Sequence, residues 1–398
     1  MKKIFSASFL FLIVMFFSIS VAQAIEVDGS TITVFGNIFI QGGTAKGDED
    51  AGTISANDGL FAGGVIFGRE FSNGGRALIK IRAGSGDNSI GSNDAVQNTK
   101  ANIILSTIWY AQPLVNDSVE IKLGRIGTIG GDSVVTGNPD FQPYTQFIHP
   151  LFTGEVSEWD PYVEDNGDAW GISFDFSPTE IIDITYGYAG PTGKGNDTTE
   201  TIYTEGFGYT TNLGSFPVYM PMQNTISGKT YHIDSDGFNA LEINFKFIED
   251  GNYRIKYWKL NEYKTDGNDT PQGIAMSFDQ KLYYFLTVGF RYGQVLSTKS
   301  LPYTVKDNLS IKSSYSLAAR LTGELWNRVE DCLAAAVGEE IYNIETSKSS
   351  SALICEIYYK YAINDYISIS PSIQYQAYSN LDWLKNQIAY VVRTHINF

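Results

Sequence analysis

The sequence predicts an all-β chain, a single transmembrane antiparallel β-barrel of about 16 strands, with 16–18 as the approximate range. Three observations lead there. An N-terminal export signal is followed by no second apolar run. Apolar and polar residues then alternate with a period of two almost to the last residue. Long polar connections alternate with short ones near both ends of the chain.

Lys2 and Lys3 form a positive start, an apolar stretch runs from Ile4 to about Val21, and Ala22-Gln23-Ala24 supplies a small-residue cleavage site. The alternative is an uncleaved anchor. The small residues at its end and the polar Glu26-Val27-Asp28 beyond favour cleavage. Residues 1–24 therefore read as a signal peptide and 25–398 as the barrel; losing two lysines takes the net charge from -16 to -18. No later run reaches the ~18 apolar residues of a membrane-spanning helix. Export with no second helical span leaves the periplasm, the exterior or the cell outer membrane, and a barrel selects the last.

With 398 residues, length alone allows two or three soluble domains or one large barrel. The 25 Tyr, 24 Phe and 39 Gly suit many strands joined by turns. A net charge of -16 argues against nucleic acid, whose phosphates need clustered Lys and Arg. The two cysteines, Cys332 and Cys355, fall on neighbouring predicted strands but out of register across the 343–351 connection. A disulfide stays open in an oxidising compartment; two free, buried thiols is the simpler reading. With histidine only at 149, 232 and 395, no metal-binding spacing exists, and no cofactor is expected.

The alternation is clearest near the C-terminus. Ile367, Ile369, Pro371, Ile373 and Tyr375 oppose Ser368, Ser370, Ser372 and Gln374. Leu353, Cys355, Ile357, Tyr359 and Tyr361 oppose Ile354, Glu356, Tyr358 and Lys360. Leu282, Tyr284, Leu286, Val288, Phe290 and Tyr292 read as one face of a strand over 282–292. Ile182, Ile184, Tyr186 and Tyr188 form another such face, as do Ala77, Ile79, Ile81 and Ala83. A barrel needs this pattern because one face meets lipid and the other the lumen. A soluble sandwich alternates too, but tyrosines cluster here at strand ends, as interface girdles require. The last strand carries Ile388, Tyr390, Val392, Thr394, Ile396 and Phe398 outward, ending on the terminal aromatic. Tyr390, Ile396 and Phe398 thus resemble the signal read by the barrel-assembly machinery.

Short connections are expected at 72–74, 113–117, 177–180, 327–330 and 363–365. Long ones are expected at 42–57, 85–100, 127–167, 293–313, 343–351 and 376–386. The middle breaks the alternation: 248–251 is short where a long loop is due, and 211–237 and 263–278 are long where turns are due. Further strands near 214–222 and 298–306 would raise the count to about 18.

Several segments resemble the carbohydrate-selective porin family. Leu325-Trp326-Asn327-Arg328-Val329-Glu330-Asp331 is similar to its short turn with Arg and then Asp three residues on. Glu356-Ile357-Tyr358-Tyr359 is similar to its following strand, and Pro371-Ser372-Ile373-Gln374-Tyr375 to its Pro-x-x-Gln-Tyr segment. Tyr144-Thr145-Gln146-Phe147 adds a looser match. The family's Asn-Pro after Gln-Tyr is missing, since Asn380 precedes Leu381, and nothing between 200 and 300 matches. The resemblance implies passive diffusion of small hydrophilic solutes, carbohydrates first, with no catalytic residues.

A diffusion pore needs a polar lumen and a constriction. Strand parity turns Arg76, Lys80, Arg82, Lys122, Arg254, Lys256, Arg320, Lys360 and Arg393 inward. It also turns Glu120, Asp183, Glu242, Glu324, Glu340 and Glu356 inward, and merely solvated lumenal residues are the plain alternative for each. The 127–167 connection follows the fifth strand and is the candidate constriction loop. Gln146, Glu155, Glu158 and Asp160 would bond solute hydroxyls, Trp159 and Tyr162 would stack on sugar faces, and Trp258 and Trp326 would add aromatic faces inside. An ordinary surface loop is the alternative. Asp234-Ser235-Asp236-Gly237 lacks the distant Glu of a calcium loop and reads as a turn. The expected surroundings are outer-membrane lipid, lipopolysaccharide, the assembly machinery and small solutes, with a homo-oligomer open. A general or cation-preferring porin, a structural surface barrel and a barrel enzyme remain as other readings.

Overall fold

The computed structural model describes residues 25–27, 29–46, 53–85, 102–115, 118–129, 133–135, 147, 150–153, 169–189, 238–260, 272–296, 310–343, 350–380 and 386–397, in places as backbone alone. The signal segment 1–24, the six polar constriction candidates, Phe398, 214–222, 234–237 and 298–306 lie outside these residues.

The first half of the wall holds β1 (Ile25–Val27), β2 (Ser30–Lys46), β3 (Thr53–Glu70), β4 (Arg76–Ser85), β5 (Asn102–Leu114), β6 (Val119–Ile129), β7 (Ser133–Val135), β8 (Ala169–Thr179) and β9 (Ile182–Ala189). The second half holds β10 (Phe238–Phe245), β11 (Gly251–Leu260), β12 (Gln272–Tyr283), β13 (Leu286–Val295), β14 (Ser310–Thr322), β15 (Cys332–Asn343), β16 (Ser350–Ala362), β17 (Ile367–Ser379) and β18 (Gln387–Asn397). Two of these are accessory. β1 adds three residues beside the start of β2, and β7 runs parallel to the end of β6. The other sixteen pair antiparallel in chain order, and β18 pairs with β2 along Gln387↔Ala45 to Asn397↔Phe35, which closes the ring. Closure is what lets strands cross lipid, because it leaves no unpaired backbone edge.

Eight connections at one end are short: 28–29, 71–75, 115–118, 180–181, 246–250, 284–285, 323–331 and 363–366. At the other end the strands are joined by 47–52, 86–101, 130–168, 190–237, 261–271, 296–309, 344–349 and 380–386. The two sets take strict turns along the chain, so the break expected in the middle disappears, although the nine-residue 323–331 turn is longer than 47–52, 344–349 and 380–386 at the other end. One cause is that 282–292 is not a single strand: a two-residue turn at Tyr284-Phe285 joins β12 to β13, apolar enough to continue the alternating pattern unnoticed. The other is that β9 pairs directly with β10, and β13 with β14, so the wall is continuous at both places. The 42–57 and 263–278 connections are shorter than expected, because β2 runs to Lys46, β3 starts at Thr53 and β12 starts at Gln272. Both outcomes come from the same physics: a hydrogen-bonded strand continues past the membrane as long as its neighbour does.

The faces follow the expected parity. Along β16, Leu353, Ile357 and Tyr361 are exposed toward lipid while Ala352, Ile354, Glu356 and Tyr358 are buried inward. Near the short-turn end, Phe245, Tyr253, Phe278 and Phe290 pair in register across β10–β13 on the outer face. Two of the steps are stacked, Tyr253–Phe278 at 6.2 Å and Phe278–Phe290 at 5.1 Å between ring centres. Aromatic belts of this kind sit at bilayer interfaces.

The cysteines are free. Cys332 pairs with Lys360 and Cys355 with Val337, so they are five pairs out of register and on opposite faces of the wall. Cys332 is buried inward; Cys355 is half-buried on the lipid face rather than buried as expected.

The family-like turn after β14 is a single 3-10 turn, Gly323–Trp326, ended by Asn327 in the left-handed region at φ 61°. Arg328 then grips Asp331 with two hydrogen bonds of 2.6 and 3.2 Å. Asp331 also accepts from the Ala362 amide at 2.9 Å and the Tyr359 hydroxyl at 2.5 Å. Arg328 donates to the Ala362 carbonyl at 2.8 Å and lies 4.2 Å over the Tyr361 ring. This lock ties the β14–β15 turn to the end of β16. Burial works against the charge of Asp331, but the bonds from Arg328, Tyr359 and Ala362 outweigh it and hold its carboxyl down to about 2.

Candidate functional site

The lumen carries two built features. The first comes from the 130–168 connection, in which Pro150–Thr153 forms one helical turn, α1. Phe147, Leu151 and Phe152 are fully buried against the inward faces of β14, β15 and β16. Phe147 meets Tyr358 edge-on at 5.1 Å and Phe152 at 5.4 Å. The Ser316 hydroxyl donates to the Leu151 carbonyl at 3.1 Å. The connection leaves the wall at β6, and β15 lies eight strands from β6 in both directions around the ring. The segment therefore reaches the opposite wall.

The wall is shaped to receive it. Ala318, Ala334, Ala336 and Ala352 keep the inward face low, and Ile354 and Tyr358 supply apolar sides. A Cβ on Gly338 would come within 2.8 Å of Leu151 Cδ2 and 2.5 Å of the Tyr315 carbonyl oxygen, so only glycine fits under the helical turn. Burying a Leu or Phe side chain is worth about 1.5–3 kcal/mol, and three such anchors can hold a segment in place.

The second feature is a band of paired charge on β9–β12. Arg254 donates to Asp279 at 2.8 Å and lies 4.0 Å from Glu242, while Lys256 reaches Glu242 at 3.3 Å. All four side chains are at most 4% exposed. Asn252 extends the network to Asp279 at 3.0 Å, and Asn244 links Asn252 at 3.1 Å to Asp183 at 3.4 Å. Lys246 meets Asp183 at 2.6 Å. Buried charges survive only when paired and hydrogen-bonded in this way. Above this band, Trp258 lies flat over Gly273, where a Cβ would meet the indole at 2.4 Å.

Most of the sequence-derived pore residues stand on the inward face. Arg76 pairs with Glu120. Lys122 lies 5.2 Å over the Trp109 ring, Lys80 5.6 Å over Phe35, and Arg393 6.0 Å over Tyr358. Glu356 accepts from Ser372 at 3.0 Å, and Arg320 donates to Thr287 at 3.5 Å. Glu340 is buried and Lys360 half-buried. Arg82 pairs with Gly64 at an inward register position. Glu324 and Trp326 are corrections. Both sit in the 3-10 turn past the end of β14, at the short-turn rim; Glu324 is exposed and bonded to Thr322 at 3.1 Å, and Trp326 lies 6.1 Å from Tyr359. Strand parity ceases to apply where the chain leaves the ladder. Of the C-terminal residues, Tyr390 faces outward and is exposed, whereas Ile396 is buried in register with Ile367.

Asp279, Arg291 and the apolar anchors were missed. Asp279 fell beside a supposed loop. The anchors did leave a signal: Phe147-Ile148 and Leu151-Phe152 are apolar within a polar connection, and Leu333 to Val337 is apolar on both faces. A strand without alternation has both faces covered.

The sequence profile of the carbohydrate-selective porin, OprB family, matches residues 54–398. No curated protein matches the chain as a relative. Among solved structures, the fold is similar to a high-pH structure of Pseudomonas putida OprB, with TM-score 0.64, 12% identity and coverage of 93% of this chain and 94% of that one. It is also similar to Salmonella typhi OmpF in complex with daunomycin (TM-score 0.58, 11% identity, 94% and 100% covered). A third is an anion-selective porin from Comamonas acidovorans (TM-score 0.54, 12% identity, 93% and 100% covered). At these identities the structures speak for the closed barrel, and the profile speaks for kinship. The chain, an outer-membrane β-barrel channel, belongs to the carbohydrate-selective porin family.

Proposed function

We propose that this barrel passes small neutral, hydroxyl-rich solutes, carbohydrates first, and that the segment docked by Phe147, Leu151 and Phe152 is its constriction. The observation that carries this reading is an apolar turn seated on the wall opposite its root, in a lumen that otherwise holds both signs of charge. A paired-charge wall presents donors and acceptors without a net field. That favours hydroxyls, which do both, over ions of one sign. Gln146, Glu155, Glu158, Trp159, Asp160 and Tyr162 belong to the same connection and are assigned here to hydroxyl bonding and stacking. Arg76, Lys80 and Arg82 are assigned to the facing wall.

Liposome swelling tests the reading. Vesicles holding the protein should swell in glucose and in a disaccharide, and more slowly in larger oligosaccharides. Glu158→Ala with Trp159→Ala should flatten the preference for sugars over size-matched polyols. Equal rates for all size-matched solutes would favour the general-porin reading, which the acidic composition also supports.

The surroundings follow from the fold. The outer aromatic belt suits lipid and lipopolysaccharide, β18 with Tyr390 and Ile396, followed by Phe398, suits recognition by the assembly machinery, and a homo-oligomer is compatible with the lipid face. Deleting Phe398 should lower the amount of barrel in the outer membrane; unchanged levels would remove that assignment. Residues 1–24 are assigned as the cleaved export signal, so the mature mass should begin at Ile25.

A further inference from the structure

We infer that the lipid-facing surface of β10–β12, centred on Lys259, is a binding site for the phosphorylated sugar headgroup of lipid A in the outer leaflet; this rests on the assignment of the outer face to lipopolysaccharide made above and gives it a place. Asn239 on β10, Lys259 on β11 and Gln272 on β12 are paired in register, so they form one row across three strands. With neighbouring strands ~4.8 Å apart, the row is roughly 10 Å wide. Along β11, Ile255 and Tyr257 are exposed to lipid, whereas Arg254, Lys256 and Trp258 are buried inward. The same parity puts Lys259 on the outer face, and it is exposed there. Among the described residues, it is the one charged side chain at an outward position of β9–β13.

Two tyrosine–carboxamide pairs fix the height of the row. Tyr253 donates to Gln280 at 2.7 Å near the short-turn end, and Tyr257 donates to Gln272 at 2.6 Å near the long-connection end. From Gln272 to Gln280, β12 covers ~27 Å along the strand, or ~21 Å along the membrane normal at a tilt of ~40°. That is close to the ~25 Å apolar band of a barrel wall, and the longer connections of such barrels face the exterior. Lys259 therefore stands at the outer edge of the band, where headgroups lie. Below it Leu241, Ile255 and Met276 are exposed and offer a surface for acyl chains. Beside it, Tyr186 donates to the Asn239 amide oxygen at 2.9 Å, as Tyr257 does to that of Gln272. The two oxygens that would repel a phosphate are thus engaged by hydroxyls. The ammonium between them shares the outward face of β9–β13 with no carboxylate among the described residues. A lipid phosphate supplies the missing charge, through charge-assisted hydrogen bonds.

Native mass spectrometry of the detergent-solubilised, delipidated full-length barrel, titrated with lipid A or with phosphatidylglycerol, tests this. Wild type should bind lipid A more tightly than phosphatidylglycerol. Lys259→Gln should weaken lipid A binding about fivefold, equivalent to ~1 kcal/mol, the worth of one basic side chain beside an anionic lipid surface. Lys259→Glu should weaken it further. Lys259→Arg keeps the charge and should bind as wild type does, which separates lost charge from altered packing. Heat-shifted mobility in SDS checks assembly of each variant, and the KCl conductance of Lys259→Gln should match wild type because the row lies outside the lumen. Equal lipid A binding in wild type and Lys259→Gln, or wild-type binding of phosphatidylglycerol as tight as that of lipid A, would overturn the site while leaving the general lipid assignment standing. Wild-type barrels that bind no lipid A would overturn both.

Discussion

The Leu151 carbonyl oxygen accepts a hydrogen bond from the Ser316 hydroxyl at 3.1 Å, joining positions 165 residues apart across the barrel lumen. Around that bond, Phe147, Leu151 and Phe152 fill a floor of alanines and one glycine. Large-to-small changes at such buried sites cost about 2–5 kcal/mol each. Leu151→Ala with Phe152→Ala should therefore release the segment, and Gly338→Val should displace it from below. Wall pairing is untouched in the double variant, so heat stability of the barrel should change little. Single-channel recordings should show larger KCl conductance in both variants. Wild-type conductance would mean that the docked segment does not set the narrowest point.

Ion preference follows from the paired band. Arg254 holds Asp279 and Glu242 together with both acids nearly inaccessible. Removing one partner of a buried pair costs about 3–5 kcal/mol because the other charge is stranded. Arg254→Met should lower the unfolding temperature and shift reversal potential toward cations. The wild-type channel, with a net charge of -18 once Lys2 and Lys3 leave with the signal segment (-16 for the full chain), should show a mild cation preference that fades as salt screens it. Anion preference in the wild-type channel would mean that the inward Arg and Lys dominate instead.

Asp331 makes the Arg328 lock sensitive to acid. Its carboxyl is held at about 2 in the fold against an ordinary 3.8, so the deprotonated form favours the folded state. That contribution is complete above the ordinary value and is lost as pH falls from about 4 toward about 2. The temperature of the heat-induced mobility shift should drop over this window in wild type. Asp331→Asn should lower it already at neutral pH and flatten the acid dependence. Equal curves for the two proteins would show that the lock does not limit barrel stability.

The barrel was legible in the sequence because its physics is local: lipid on one side and water on the other impose a period of two on every strand. Ile369, Pro371 and Ile373 against Ser368, Ser370 and Ser372 show it at a glance. Register was legible only where turn residues announce themselves. Tyr284-Phe285 has neither glycine nor proline, so the β12–β13 turn stayed hidden and the long and short connections fell out of step. Inward charges could be listed from parity, but their partners could not, since Arg254 and Asp279 meet through register between separate strands. The docked segment was the least legible. Sequence reading looked for polar residues in the long connection, whereas its placement comes from the apolar ones, and the floor that receives them is assembled from three strands nearly two hundred residues away.

The central claim is that the lumen recognises hydroxylated solutes at a constriction set by the docked segment. Single-channel recording with glucose or maltose on one side tests it most directly. The account predicts reversible sugar-dependent block with an affinity on the order of millimolar, as a conducting pore tolerates, and weaker block in Leu151→Ala with Phe152→Ala. Channels whose current no sugar alters, while charged solutes of similar size do block, would contradict it.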